Sequence, residues 1–255
     1  MKGYERTLFL GDFADSGRFP KMIDVEVAVC FTDLRGFTKY VHSLQKDGQD
    51  NRVQHFLRDY FQIYPQEVLH ELWHMEERDE DRDTSVDAEL RRLLVPSAYK
   101  NLGDGMMLIW ELQDASNMRI QGLATRAIFS IVEKFKERFH EMTHDLGPVE
   151  IDSYSRHAEA LKLGIGLARG HAWRMDFGHS RPIDYAGSIV NLAARLQGYA
   201  RPEGVVAQLG FSESWFRHLA KKGKGRIQNI SSIKGMESNP IDIWTSNEVA
   251  LSKTP

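Results

Sequence analysis

Apolar positions along the chain follow two periods, and the change from one to the other marks out its elements. Val25 to Thr32 is apolar at nearly every position and rich in β-branched residues, which predicts a strand buried on both faces. From Gly36 the pattern turns helical. His55-Phe-Leu-Arg-Asp-Tyr-Phe-Gln-Ile-Tyr64 spaces its aromatics three and four apart, and this helix is expected to run past Pro65. Ser97 to Leu102 and Met106 to Leu112 read as two strands of a tight hairpin around Gly103-Asp104-Gly105. Asn117 to Met142 keeps a helical period, and Leu161 to Leu167 alternates as a strand. Gly187 to Tyr199 is helical, with Ile189, Leu192, Ala193 and Leu196 inward. A strand near Val205, a helix from Ser212 to Leu219 and two strands, Ile227 to Ile233 and Ile241 to Trp244, complete the pattern. No repeat of fixed period is visible.

Composition narrows the class. With 255 residues, 42% hydrophobic and 27% charged, the chain can bury a full core. Its formal net charge of -3 provides no basic field for nucleic acid or an anionic membrane, so any phosphate binding must be local. The single cysteine, Cys30, falls inside an apolar strand, as expected in a reducing compartment. No apolar run is long enough to cross a bilayer and the first residues lack a signal-peptide core, so a cytoplasmic protein is expected. Residues 1–24 read as an arm, 25–246 as one domain and 247–255 as a tail. Within the domain, residues 76–95 hold Glu77-Arg-Asp-Glu-Asp-Arg-Asp83, an acidic insertion expected to be solvated or disordered rather than packed.

Candidate chemistry gathers at turns. Asp33 follows the first apolar strand and Asp104 interrupts the hairpin, places where a carboxylate is held rigidly yet faces solvent and a divalent cation. Leu34-Arg35-Gly36-Phe37-Thr38 begins a helix whose free N–H groups suit phosphates. Asn191 and Arg195, four apart on one helix, project from one face. A competing pattern, His70-Glu71-Leu-Trp-His74, fits the H-E-x-x-H zinc motif, although Glu77 and Glu80 stand where a metzincin would continue.

Four ordered segments resemble the class III nucleotide cyclases. Phe31-Thr-Asp-Leu-Arg-Gly-Phe-Thr38 is similar to the family's metal strand and phosphate loop, and Lys100-Asn-Leu-Gly-Asp104 to its hairpin. Gly164-Ile-Gly-Leu-Ala-Arg-Gly170 resembles the strand before the dimerisation arm, and Asp184-Tyr-Ala-Gly-Ser-Ile-Val-Asn-Leu-Ala-Ala-Arg195 resembles the transition-state helix. Ile233-Lys234-Gly235 is a weaker match to a triphosphate-binding lysine. The resemblance implies an α/β (α+β) ferredoxin-like βαββαβ fold, with a mostly antiparallel sheet flanked by helices. It implies cyclisation of a nucleoside triphosphate with two Mg2+ or Mn2+ ions on Asp33 and Asp104. It also implies a homodimer whose sites each take metal ligands from one protomer and Asn191, Arg195, Lys100 and Asp184 from the other. Lys100 and Asp184 match the adenine-reading pair, which favours ATP, although cytosine offers a similar edge. A pyrimidine cyclase of the Pycsar antiphage type is the nearest rival, and an inactive nucleotide-binding module or a zinc protease lies further off. The product of a cyclase would be read by a separate receptor.

Overall fold

In the first strand, alternate side chains feed two different cores. A computed structural model of the chain describes residues 21–77, 84–112, 117–144, 161–177, 183–231, 233 and 240–250. Strand β1, Lys21–Arg35, turns Ala28 and Cys30 to one core and Val25, Val27 and Val29 to the other, which is why it reads as continuously apolar. It lies between β3 (Gly105–Glu111) and β4 (Lys162–Asp176), antiparallel to both. β2 (Ala98–Leu102) pairs antiparallel with β3. The resulting order β2-β3-β1-β4 is the ferredoxin-like arrangement. β6 (Gly204–Gln208) adds to β4 in parallel, β8 (Ile241–Thr245) and β7 (Arg226–Ile230) follow antiparallel, and β5 (Asp184–Ala186) pairs with the far end of β4.

Helices cover both faces. α1 (Phe37–Lys46) buries Tyr40 and Leu44 and ends before Gly48, whose φ of 69° an L side chain rarely adopts. α2 (Asp50–Glu77) continues through Pro65, as its period predicts. Its Tyr60 and Tyr64 meet Phe135 of α4 (Met118–His144) at ring-centroid separations of 5.7 and 6.1 Å. α6 (Glu213–Lys221) packs Phe216 against Trp244. The opposite face is covered by α5 (Ser188–Tyr199), with Ile189, Leu192, Ala193 and Leu196 inward as expected.

Part of the acidic insertion departs from expectation. Residues 78–83 lie outside the described residues, but α3 (Thr84–Leu94) is a helix, with Leu93 and Leu94 in the core and the Leu94 carbonyl accepting from Trp110 Nε1 at 3.1 Å. Its charged residues obscure a short apolar stripe that finds a partner only in the folded chain. Strands β1 and β4 also run further than their apolar stretches suggest, pairing without interruption from Lys21↔Asp176 to Arg35↔Lys162. No helix among the described residues is long and apolar enough to cross a membrane.

Candidate active site

Register brings the two acidic turns together. Asp33 lies opposite Gly105 on β3, and Asp104 immediately precedes that glycine. Facing positions in such a ladder are only about 4.5–5.5 Å apart at Cα. A Cβ on Gly105 would stand 2.3 Å from the Thr32 carbonyl oxygen, so this close approach demands glycine. The Thr32 hydroxyl accepts from the Met106 N–H at 3.0 Å and shares a 2.7 Å hydrogen bond with the Tyr60 hydroxyl, tying the hairpin to the core. Burial holds the Asp104 carboxyl above its usual range, the Asp33 charge raises it further, and its own backbone and Arg35 oppose the shift. Two neighbouring, partly exposed carboxylates offer oxygen donors and mutual repulsion, a combination suited to a hard divalent cation.

The turn after Asp33 divides its expected phosphate contacts. Leu34 is buried in the core and has only its backbone to offer. Phe37 packs against the core, and Thr38 is exposed. Gly36 enters α1 at φ 83°, with no capping side chain and no acidic residue in the first turn, so those N–H groups are left for an anion. Arg35 does not belong to the start of the helix. It is the last residue of β1, its side chain is 20% exposed, and Nη1 meets Asp33 Oδ2 at 2.5 Å. Its Nη2 donates to the Gln197 carbonyl of α5 at 2.8 Å.

Lys100 and Asp184, distant in sequence, meet. Lys100 Nζ donates to Asp184 Oδ1 at 2.5 Å, and the same oxygen accepts from the Tyr185 N–H at 2.7 Å. Behind this pair, the Tyr185 hydroxyl donates to Glu111, which Arg174 also grips at 3.0 Å, fixing β5 against β3. Asn191 and Arg195 share the exposed face of α5, and their side chains have no polar partner among the described residues. The helix that carries them lies hard against β4. A Cβ on Gly166 would be 2.1 Å from the Ala193 carbonyl oxygen and 2.2 Å from the Gln197 nitrogen.

Asp33, Asp104 and Arg35 thus form one group and Lys100 with Asp184 a second, while Asn191 and Arg195 are bonded to neither among the described residues. Lys234 lies outside the described residues. His70 is exposed on α2, and the side chains of Glu71 and His74 lie outside the described residues. Among the described residues no cluster of three or more His, Cys, Asp or Glu could hold a metal. Sequence reasoning misses Thr32 and Tyr60, whose only signal is a polar atom placed in an apolar strand and an apolar helix face.

No protein-family model and no curated protein matches the chain. Among solved structures it is similar to a bacterial light-regulated adenylyl cyclase, with 18% identity over 89% of this chain and 92% of that one and a TM-score of 0.53. It is also similar to the guanylyl cyclase Cya2, with 16% identity over 93% of this chain and 98% of that one and a TM-score of 0.54. The chain therefore has the fold of the catalytic domain of class III adenylyl and guanylyl cyclases.

Proposed function

We propose that residues 25–246 form a nucleotide cyclase that converts a nucleoside triphosphate, ATP before others, into its 3′,5′-cyclic monophosphate and pyrophosphate. The observation that carries this is the juxtaposition of Asp33 and Asp104 beside the uncapped start of α1, on a cyclase fold. These carboxylates would hold Mg2+ or Mn2+, two per site, supplying charge to activate the 3′-hydroxyl and neutralise phosphate. The N–H groups from Gly36 to Thr38 donate to the β- and γ-phosphates, with Leu34 contributing only backbone and Lys234 an additional cation. Lys100 donates to a ring nitrogen and Asp184 accepts from the adjoining amine, the pattern adenine presents at N1 and N6. Asn191 orients the ribose, and Arg195 meets the charge growing on the α-phosphate.

Because Asn191 and Arg195 face outward without polar partners among the described residues, they act on a nucleotide held by a second copy. The working unit is a two-fold homodimer with two shared sites. The enzyme acts in the cytoplasm, and a separate receptor reads its product. A pyrimidine cyclase of the Pycsar type is the second reading, favoured by the Lys100–Asp184 pair, which fits the N3 and N4 edge of cytosine equally well. Incubation with each of the four triphosphates and Mn2+, with products resolved by mass, separates the readings. A cyclic AMP product supports the first and cyclic CMP or cyclic UMP the second, whereas pyrophosphate-free turnover or no product from any triphosphate refutes both.

A further inference from the structure

Arg35 ends β1 with its guanidinium between two acceptors on different elements, the Asp33 carboxylate and a backbone carbonyl of α5. Nη1 lies 2.5 Å from Asp33 Oδ2, and Nη2 lies 2.8 Å from the carbonyl of Gln197, in the last turn of the helix that carries Asn191 and Arg195. That helix end bears the negative pole of its backbone dipoles, so it suits a cation. The space is built for this side chain. A Cβ on Gly164, across the ladder, would crowd Arg35 Nη2 at 3.0 Å and Nε at 3.2 Å, and Nε is buried without an acceptor among the described residues. Such a fixed fork does more than neutralise a charge, because only a planar guanidinium reaches both acceptors together.

We infer that Arg35 is a positioning residue for the cation site. It occupies one oxygen of Asp33, leaves the other to the cation, and pins that carboxylate to the C-terminal turn of α5. This rests on the reading of Asp33 as a cation ligand. Holding one oxygen confines Asp33 to one-oxygen coordination, and a fixed positive charge beside it weakens cation binding while improving its placement. The clamp therefore trades affinity for geometry. Loss of a purely structural contact would instead weaken binding and turnover together.

Mn2+ binding to the nucleotide-free protein, followed by electron paramagnetic resonance, separates these cases, with Asp33→Asn as the control that should lose the site. Arg35→Ala should bind Mn2+ about tenfold more tightly than the wild type, because a repelling charge is gone and both Asp33 oxygens are free. Its kcat for the cyclic product should fall by about tenfold or more as the carboxylate loses its fixed orientation. Arg35→Lys keeps the charge but cannot span both acceptors. It should retain the wild-type Mn2+ affinity and still lose kcat. Mn2+ binding to Arg35→Ala that is unchanged or weaker overturns the inference, as does wild-type kcat in either variant. Should Arg35→Ala fail to fold, Arg35→Lys decides alone: wild-type Mn2+ affinity with a lowered kcat supports the inference, and weakened Mn2+ affinity or wild-type kcat overturns it. If the wild type cyclises no triphosphate, the proposed function fails, and the Mn2+ isotherms still judge the clamp at Asp33.

Discussion

At the scale of single residues, Asp104 sets function against stability. Its carboxyl is held above the ordinary value of 3.8, chiefly by burial and then by Asp33. At acid pH it is protonated in the folded and unfolded chains alike and contributes nothing. As pH rises through the carboxylate range the unfolded chain ionises first, so above the folded pKa the group disfavours the fold. Asp104→Asn should therefore melt slightly higher than wild type at neutral pH without divalent ions and equally at acid pH, as calorimetry would register. Adding Mn2+ should raise the melting temperature of the wild type and not that of the variant, which should also make no cyclic product. A variant that melts lower at neutral pH would remove the repulsion from this account. Asp33 and Asp104 were legible in the sequence because each carboxylate interrupts an apolar pattern at a turn. The role of Arg35 was not, since its second acceptor is a backbone carbonyl of residue 197, far away in sequence.

At the scale of elements, α5 is placed by what β4 lacks. Gly166 leaves room for the backbone of Ala193 and Gln197, and the helix seats its outward Asn191 and Arg195 relative to the sheet. Gly166→Ala would drive a methyl group into backbone atoms that cannot rotate aside. The expected cost is about 3 kcal/mol, the upper end for overpacking, read as a lower urea midpoint. The surviving folded protein should lose turnover through displacement of α5, whereas full stability would show that α5 yields without strain. Strand and helix types were legible here because β1, α2 and α4 carry long, consistent periods. Helix α3 was not, because six of its eleven residues are charged or hydroxylated and its apolar stripe is confined to Val86, Leu90, Leu93 and Leu94. The outer halves of β1 and β4 were missed for another reason. Their backbone ladder holds residues such as Asp24, His171 and Arg174 in strand conformation although they lack an apolar period.

At the scale of the whole molecule, the proposed function requires a second copy. Asp33 and Asp104 sit together where the β2–β3 hairpin meets β1, while Asn191 and Arg195 stand on an exposed helix face bonded to neither, so under the proposed function one chain presents two incomplete halves. In a two-fold dimer, each half is completed by the partner's opposite half. The consequence can be counted. Asp33→Ala removes the metal half of one site, and Arg195→Ala removes the transition-state half of the site on the other side. When the two inactive proteins are mixed and allowed to exchange, each heterodimer contains one site with both defects and one with neither. Random pairing makes half the dimers heterodimers, so activity should return to about one quarter of the wild-type value per mole of chain. A site built within one chain gives a different result, because every chain in the mixture then carries a defect and no activity returns at any mixing ratio.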